Sequence, residues 1–506
     1  MQQKKLLPPL REAIEGKVVT RLPPEASGFL HLGHVKALLL NYMYARQYHG
    51  KVILRFDDTN PEKENIVYEE AIMADIKKLG LECDMHTYSS DYFDQVIDYG
   101  RNLINSGLAY IDFSSAKEIN KCRIQFQPSK YRDTDIATNL LWFAQMLNGD
   151  TTECCLRAKI DYASKNGCLR DPVIFRCKNQ YHPRHGTKYY VYPTYDFACP
   201  IIDAIEGVTH AMRSVEYKDR DSQYEWFLRS LGLKNGPYPI IMDYSKLNFT
   251  HTVLSKRKLA KLVDAGLVDG WSDPRLPTVR GILRRGMQVE SLLSYIKTQL
   301  TGRNIVLLGW EKIWSVNSVN LDKKSMRLYG FGPDMRMITM TGDLPSYVEL
   351  VNHPKDQSFG TREIQVTSKL FVDVDDFREV IIGARFTLVG LGNATVTNIN
   401  PLTLHYDKTD TDYKTTTKIT WLPNDGTNVL VTVKNYGTLL NKPKIEENED
   451  VTDAFNTDSL VECQWLVESA IKNVNIGQTV QIMRHGYCYV DKNDGDDIVL
   501  HMVPNK

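Results

Sequence analysis

The stretch from Val18 to Pro61 constrains this chain more than any other. Val18-Val19-Thr20 is short, apolar and β-branched, as a buried strand requires, and it runs into the breaker-rich Pro23-Pro24-Glu25-Ala26-Ser27-Gly28. From His31 to Tyr48 the residues Leu32, Val35, Leu38, Leu39, Tyr42, Met43 and Ala45 recur at helical spacing, and Gly50 is placed to stop that helix. Lys51-Val-Ile-Leu-Arg-Phe56 reads as a second strand, ending in Asp57-Asp58-Thr59-Asn60-Pro61. Strand, loop, helix and strand in this order form a βαβ unit, which requires a parallel sheet. Ligands of open parallel sheets sit beyond the carboxyl ends of the strands. Here that edge carries Arg21 to Gly28 and Asp57 to Asn60.

The same α/β texture continues to about residue 110. From about 112 to 193 the pattern turns irregular and rich in Tyr, Cys, Arg and Lys, as an inserted module would be. Sheet character returns at Val191-Tyr-Pro-Thr-Tyr-Asp-Phe197, a helix is expected around Arg220 to Leu231, and residues 256–302 read as helical and basic. After about 325, alternating runs such as Ile364-Gln-Val-Thr, Lys418-Ile-Thr-Trp, Asn428-Val-Leu-Val-Thr-Val and Gln478-Thr-Val-Gln-Ile are separated by turn signals. They predict a region of β-barrels.

At ~150 residues per domain, the 506 residues predict roughly three domains. Lys and Arg total 62 and so do Asp and Glu, which excludes a uniformly basic coat but not a local basic face. Nine cysteines without a repeating pattern argue against a disulfide framework and for a reducing compartment. Cys154, Cys155, Cys168 and Cys177 contain no C-x-x-C pair, so no zinc is expected. Lys4 and Lys5 precede Leu6-Leu7-Pro8-Pro9-Leu10, which is too short and broken for a signal core, and no apolar run reaches ~18 residues. A cytoplasmic protein is expected.

Two motifs carry chemistry. His31-Leu32-Gly33-His34 opens the helix after the first strand. A helix N-terminus offers unpaired N–H groups and partial positive charge to a phosphate, and two imidazoles can donate to a phosphoryl group as charge builds on it. Val253-Leu254-Ser255-Lys256-Arg257-Lys258 is weak alone, but beside the first motif it supplies a lysine suited to the β- and γ-phosphates.

Together these resemble the HIGH and KMSKS signatures of class I aminoacyl-tRNA synthetases. Arg21-Leu-Pro-Pro-Glu-Ala-Ser-Gly-Phe-Leu-His-Leu-Gly-His34, Arg55-Phe-Asp-Asp-Thr-Asn-Pro61 and Tyr192-Pro-Thr-Tyr-Asp-Phe197 resemble its glutamyl/glutaminyl branch. So does Asp269-Gly-Trp-Ser-Asp-Pro-Arg-Leu-Pro-Thr-Val-Arg-Gly-Ile-Leu-Arg-Arg-Gly286. The likeness is strong from 18 to about 290 and looser beyond, where Tyr413-Lys-Thr-Thr-Thr-Lys-Ile-Thr-Trp-Leu422 anchors it; the β-rich C-terminal region matches the eukaryotic and archaeal type. Leu22, Leu32 and Leu254 stand where Phe, Ile and Met are commoner, and apolar character is kept. Many eukaryotic members carry a further N-terminal interaction domain, whereas here the resemblance starts almost at the first residue.

The resemblance implies an α/β fold. A Rossmann-type parallel-sheet catalytic domain (18–111 and 194–246) follows an N-terminal extension (1–17) and holds an inserted acceptor-end-binding module (112–193). A helical connecting domain (247–324) and two anticodon-binding β-barrels (325–506) follow. It implies ATP-dependent ligation of L-glutamate to tRNA(Glu) through a glutamyl-adenylate, with Mg²⁺ accompanying ATP, and activation that needs bound tRNA. By matched position, His31, His34 and Lys256 are catalytic. Glu25, Ala26, Ser27, Gly33, Lys36, Ala37, Ser214, Lys246, Leu247, Leu254 and Ser255 join them in contacting ATP. Arg213 would face the glutamate side chain, where glutaminyl members carry an uncharged residue. A guanidinium gives two charge-assisted bonds to a γ-carboxylate, whereas glutamine would leave it unpaired. Arg21 adds a second cation, Asp57 accepts from the α-ammonium and Tyr195 packs nearby. Other synthetases in a multi-enzyme assembly are implied partners. The alternatives are a glutaminyl enzyme of the same fold and an inactive synthetase-like scaffold; a smaller HIGH-type ligase such as pantothenate synthetase leaves the β-rich third unexplained.

Neutrality conceals unlike parts. Residues 255–285 hold eight Lys or Arg against three Asp, and 446–464 hold seven acidic residues and no base. The basic block is expected to meet tRNA phosphates, with Arg484, Lys414 and Lys418 as candidate anticodon readers. The acidic block is expected to be a solvated loop facing away.

Overall fold

β1 (Val19–Leu22) and β2 (Lys51–Phe56) pair in parallel, with Val19 opposite Lys51 and Leu22 opposite Leu54, and α1 (Leu32–Gln47) connects them. The expected βαβ unit is therefore present. In the computed structural model residues 7–62, 65–233, 238–300, 302 and 306–505 are described. The first six residues of the expected N-terminal extension, with Lys4 and Lys5, lie outside them. Val52, Ile53, Leu54 and Phe56 of β2 are all buried, as in a parallel sheet covered on both faces. A Cβ at position 50 would stand 2.0 Å from the Val18 carbonyl oxygen, so glycine lets the chain leave α1 close against β1. After α2 (Ile66–Lys78), β3 (Met85–Tyr88) extends the parallel order β1-β2-β3.

Two contact units divide the chain: Met1–Asn248 with Ile296–Leu307, and Phe249–Tyr295 with Leu308–Lys506. In the first, α3 (Phe93–Asn105) leads to an antiparallel sheet of β4 (Ala109–Asp112), β5 (Cys155–Ala158), β6 (Val173–Cys177) and β7 (Val191–Pro193). α4 (Ala116–Ile124) and α5 (Ile136–Asn148) lie between β4 and β5 in the chain. The stretch that read as irregular is thus regular; its strands are too short for alternation to show. Ile111, Phe143, Leu156 and Phe175 form its core, and Arg157 is paired with buried Asp112 at 2.7 Å.

Val191 to Phe197 is not one strand. β7 ends at Pro193, Thr194 takes the extended conformation of an N-cap, and α6 (Tyr195–Ile205) begins at the next residue. The aromatic residues mislead because Phe197 turns a helical face onto the Phe175 ring, at 5.4 Å between centroids. β8 (His210–Ser214) then pairs in parallel with β9 (Ile240–Tyr244), with α7 (Asp221–Ser230) between them. The Thr209 N–H donates to the Val19 carbonyl at 2.9 Å, which brings β8 beside β1.

The second unit holds α8 (Lys256–Asp264), further helices and two seven-stranded mixed sheets. One is built on Leu328, Val431, Val467, Val480 and Leu500, the other on Leu370, Leu404, Trp421 and Leu422. These are the expected barrel-like C-terminal sheets. Among the described residues, no helix is long and apolar enough to cross a membrane.

Candidate active site

The loop after β1 and the loop after β2 meet through the Asp57 N–H, which donates to the Pro24 carbonyl at 2.9 Å. That bond brings both sequence-predicted ligand edges together. His31 caps α1: its Nδ1 accepts the Gly33 N–H at 3.1 Å, and His34 Nδ1 accepts the His31 N–H at 3.2 Å. The two rings lie 3.8 Å apart. Because each Nδ1 is an acceptor, the neutral rings carry their proton on Nε2. The helix start therefore joins two imidazole donors to the positive end of the backbone dipole.

Ser27 Oγ donates to Glu25 at 3.1 Å, and Ala26 is buried beside them. Ser214 ends β8, and its buried Oγ has no partner among the described residues. Lys246, beyond β9, pairs with Glu216 at 3.0 Å. Lys36 and Ala37 lie on the buried side of α1, and Leu247 is buried. The Lys36 ammonium donates to the Ser245 carbonyl at 2.6 Å and to Ser245 Oγ at 3.0 Å, and burial lowers its pKa to about 8. It ties α1 to the segment after β9.

Arg21, Asp57, Tyr195 and Arg213 converge. The Tyr195 hydroxyl feels both Arg21 and Arg213, and Tyr217 feels Arg213 and Asp57. Arg213 is 6% exposed, 5.3 Å from the ring centres of Tyr217 and Tyr224, and its bond to Asp221 is long at 3.3 Å. Asp57 Oδ1 is buried without a partner among the described residues, and desolvation raises the carboxyl to about 6. A carboxylate in that position fits a cationic ligand group, and Arg213 fits an anionic one.

Arg21 is held differently from Arg213. Its Nε donates to both oxygens of Asp203, at 3.1 and 3.2 Å, and its Nη1 donates to the Met212 carbonyl at 3.0 Å. Arg55 and the Tyr224 hydroxyl also reach Asp203, at 2.7 and 2.8 Å. Burial opposes ionisation there, but Arg21 and Arg55 hold the carboxyl far below the usual range. The sequence reading missed Asp203, Tyr217 and Tyr224. Only their presence in α6, α7 and the β8–α7 connection could have pointed to them.

Leu254, Ser255 and Lys256 belong to the second unit. Leu254 is buried, Ser255 stands at the N-cap position of α8 without a side-chain capping bond, and Lys256 is the first residue of that helix. The acidic block does not face away as a solvated loop. Val451, Ala454 and Phe455 pack on Leu259 and Leu262 of α8, and part of the block is the strand Leu460–Val467. Lys258 donates to the Glu446 carbonyl at 2.9 Å, and Lys261 pairs with Asp450 at 2.7 Å. Arg275 is bound by Asp273, Arg284 by Asp491 and Arg285 by the Tyr436 carbonyl. At least five of the eight basic residues thus bond to their own chain. Arg275 finds its partner two residues away, whereas the partners of Lys258, Lys261, Arg284 and Arg285 lie 151 or more residues along the chain, where the sequence does not show them. Arg484 pairs with Asp376 at 2.6 Å, Lys418 donates to the Thr416 carbonyl at 2.7 Å and Lys414 is exposed.

A parallel-sheet domain with a doubled histidine at a helix start, followed by two β-sheet bodies, defines a class. The chain belongs to the class I tRNA synthetases of the E and Q type: residues 17–323 match that family's catalytic domain. Residues 335–410 and 418–491 match its anticodon-binding domains. Among named relatives, the chain is 42% identical over 490 residues to the bifunctional glutamate/proline--tRNA ligase of Mus musculus, covering 94% of this chain and 32% of that one. It therefore spans about a third of the length of that relative. It is 40% identical over 513 residues to the probable cytoplasmic glutamate--tRNA ligase of Schizosaccharomyces pombe, covering 98% of this chain and 71% of the relative. Against the cytoplasmic glutamate--tRNA ligase of Saccharomyces cerevisiae the identity is 38% over 507 residues, covering 98% and 71%.

Proposed function

We propose that the chain ligates L-glutamate to tRNA(Glu) in the cytoplasm, using ATP with Mg²⁺ and a glutamyl-adenylate intermediate. The observation that carries this reading is that a nearly buried Arg213 and an Asp57 oxygen, buried and without a partner among the described residues, both act on the Tyr217 hydroxyl. Arg213 takes the γ-carboxylate and Asp57 the α-ammonium, while Tyr195 packs nearby and Arg21 adds a second cation. The α-carboxylate of glutamate attacks the α-phosphorus of ATP in line, and pyrophosphate leaves. His31 and His34 donate from Nε2 to the phosphoryl oxygens as charge develops, and Lys256 neutralises the β- and γ-phosphates. No general base is needed in this step, because the nucleophile is already ionised. A ribose hydroxyl of the terminal adenosine of the tRNA then displaces AMP. Mg²⁺ binds through the phosphate oxygens of ATP. Membership of a multi-enzyme assembly is supported by the names of the bifunctional relatives.

ATP–pyrophosphate exchange with glutamate or with glutamine, each with tRNA, tests the reading, followed by charging of separated glutamate and glutamine tRNAs. Exchange and charging with glutamate are expected. Exchange with glutamine alone would assign the chain to the glutaminyl enzymes, and exchange with neither would make it a scaffold.

A further inference from the structure

Three cysteines cluster on the inserted sheet. In the β5–β6 register Leu156 lies opposite Phe175 and Cys155 opposite Arg176, so the next pair outward is Cys154 and Cys177. The two thiols are near enough to shift each other's ionisation. Cys177 Sγ lies 3.6 Å from the Thr151 carbonyl. Both residues are half-buried and unbridged. Directly opposed residues of an antiparallel pair have Cα atoms ~4.5–5.5 Å apart, inside the ~4.4–6.8 Å range a disulfide accepts. Cys155 does not compete, because its sulfur turns to the Asp112 carbonyl at 3.8 Å.

The pair is unequal. Cys154 lowers the Cys177 pKa, and Cys177 raises that of Cys154. Cys177 is the more readily ionised of the two. Burial pushes Cys155 up to about 12.

We propose that Cys177 and Cys154 are a site of reversible oxidation by hydroperoxides, with Cys177 as the attacking thiol and Cys154 as the resolving one. The Cys177 thiolate attacks one oxygen of hydrogen peroxide. The O–O bond breaks, and the products are Cys177 sulfenic acid and hydroxide, which takes a proton to become water. The Cys154 sulfur then displaces the hydroxyl from the sulfenic sulfur as the S–S bond forms, and the Cys154 proton leaves with it as a second water. Two thiols lose two electrons and one peroxide gains them. The bond fastens the end of β6 to the start of β5, one residue before Lys178, which donates to Asn60 at 3.0 Å in the loop that carries Asp57.

The full chain treated with graded hydrogen peroxide, then alkylated and mapped by mass spectrometry, decides the matter. The expected result is a peptide cross-linked between positions 154 and 177, lighter by two hydrogens and released by dithiothreitol. It should form at peroxide doses that leave Cys83, Cys122 and Cys168 alkylated. Cys154→Ser should halt the reaction at a sulfenic acid on Cys177 that dimedone captures, and Cys177→Ser should leave Cys154 reduced. Wild-type protein in which Cys122 or Cys168 oxidises while 154 and 177 remain reduced would overturn the proposal. So would dimedone captured on Cys154 instead of Cys177.

Discussion

His31 and His34 hold each other's turn of backbone: one ring accepts the Gly33 N–H, the other accepts the His31 N–H, and the rings lie 3.8 Å apart. The same two atoms that cap α1 thereby set which nitrogen of each ring donates to a phosphate. His31→Asn preserves an oxygen acceptor for the cap and removes the ring donor. Adenylate formation should slow by about 10²-fold with an unchanged Tm. His31→Ala removes both and should also cost about 1 kcal/mol of stability. Pyrophosphate exchange and thermal melting separate the two roles; equal melting losses in both variants would refute the division.

Asp57 should impose a pH limit on glutamate binding. Burial raises its carboxyl to about 6, and only the ionised form holds an ammonium. KM for glutamate should be flat above about pH 6 and rise towards tenfold per unit below it. For the ligand-free fold the sign is opposite: a raised carboxyl favours the folded state at low pH, and that stability is lost as pH rises from about 4 through about 6. Asp58 is also raised to about 6 by burial, but it accepts the Ser90 N–H at 2.8 Å. Asp58→Asn should therefore retain the limb in KM, and Asp57→Asn should lose it.

Arg213→Gln should lower kcat/KM for glutamate by about 10²–10³-fold, the loss of two charge-assisted bonds in a desolvated site. Glutamine gains nothing from the cation, so the preference for glutamate over glutamine should fall by a similar factor. Exchange assays with each amino acid measure both numbers.

Asp203 carries two guanidinium groups inside the protein. Asp203→Ala should destabilise the fold by about 3–5 kcal/mol, since Arg21 and Arg55 would stay buried without their shared carboxylate. Its folded pKa is depressed, so the stability it contributes is present above about pH 4 and is lost as pH falls towards the folded value. Urea unfolding at two pH values reads this.

On α8, Lys256→Ala should slow activation by orders of magnitude and leave unfolding unchanged. Lys261→Ala, which breaks an exposed pair with Asp450, should leave the urea midpoint nearly unchanged. Leu262→Ala should cost about 2–5 kcal/mol, because it opens the apolar contact under Phe455. If Lys261→Ala is the more damaging of these two, charge and not apolar packing holds the acidic segment.

Much of the site was legible because its residues are close in sequence. Pro24, His31 and Asp57 flank strands whose period and breakers are local, so the βαβ unit placed them on one edge before any contact was known. Val191 to Phe197 failed because aromatic residues suit a strand or a buried helix face equally, and the Phe175 ring that Phe197 packs on lies in the neighbouring strand β6, outside the local pattern. Asp203, Tyr217 and Tyr224 had no motif of their own.

The zero net charge shows where each kind of knowledge ends. Residue type and short-range spacing were enough for the parallel-sheet unit, the two histidines at the start of α1, the cationic side chain at 213 and the unlike charge of residues 255–285 and 446–464. That at least five of the eight basic residues in that block are bound within the chain, and that α8 and the acidic segment share a core, is visible only in the folded chain. Charge is a property of the residue, but whether it faces solvent or a partner depends on contacts some 190 residues apart, such as Lys261 with Asp450.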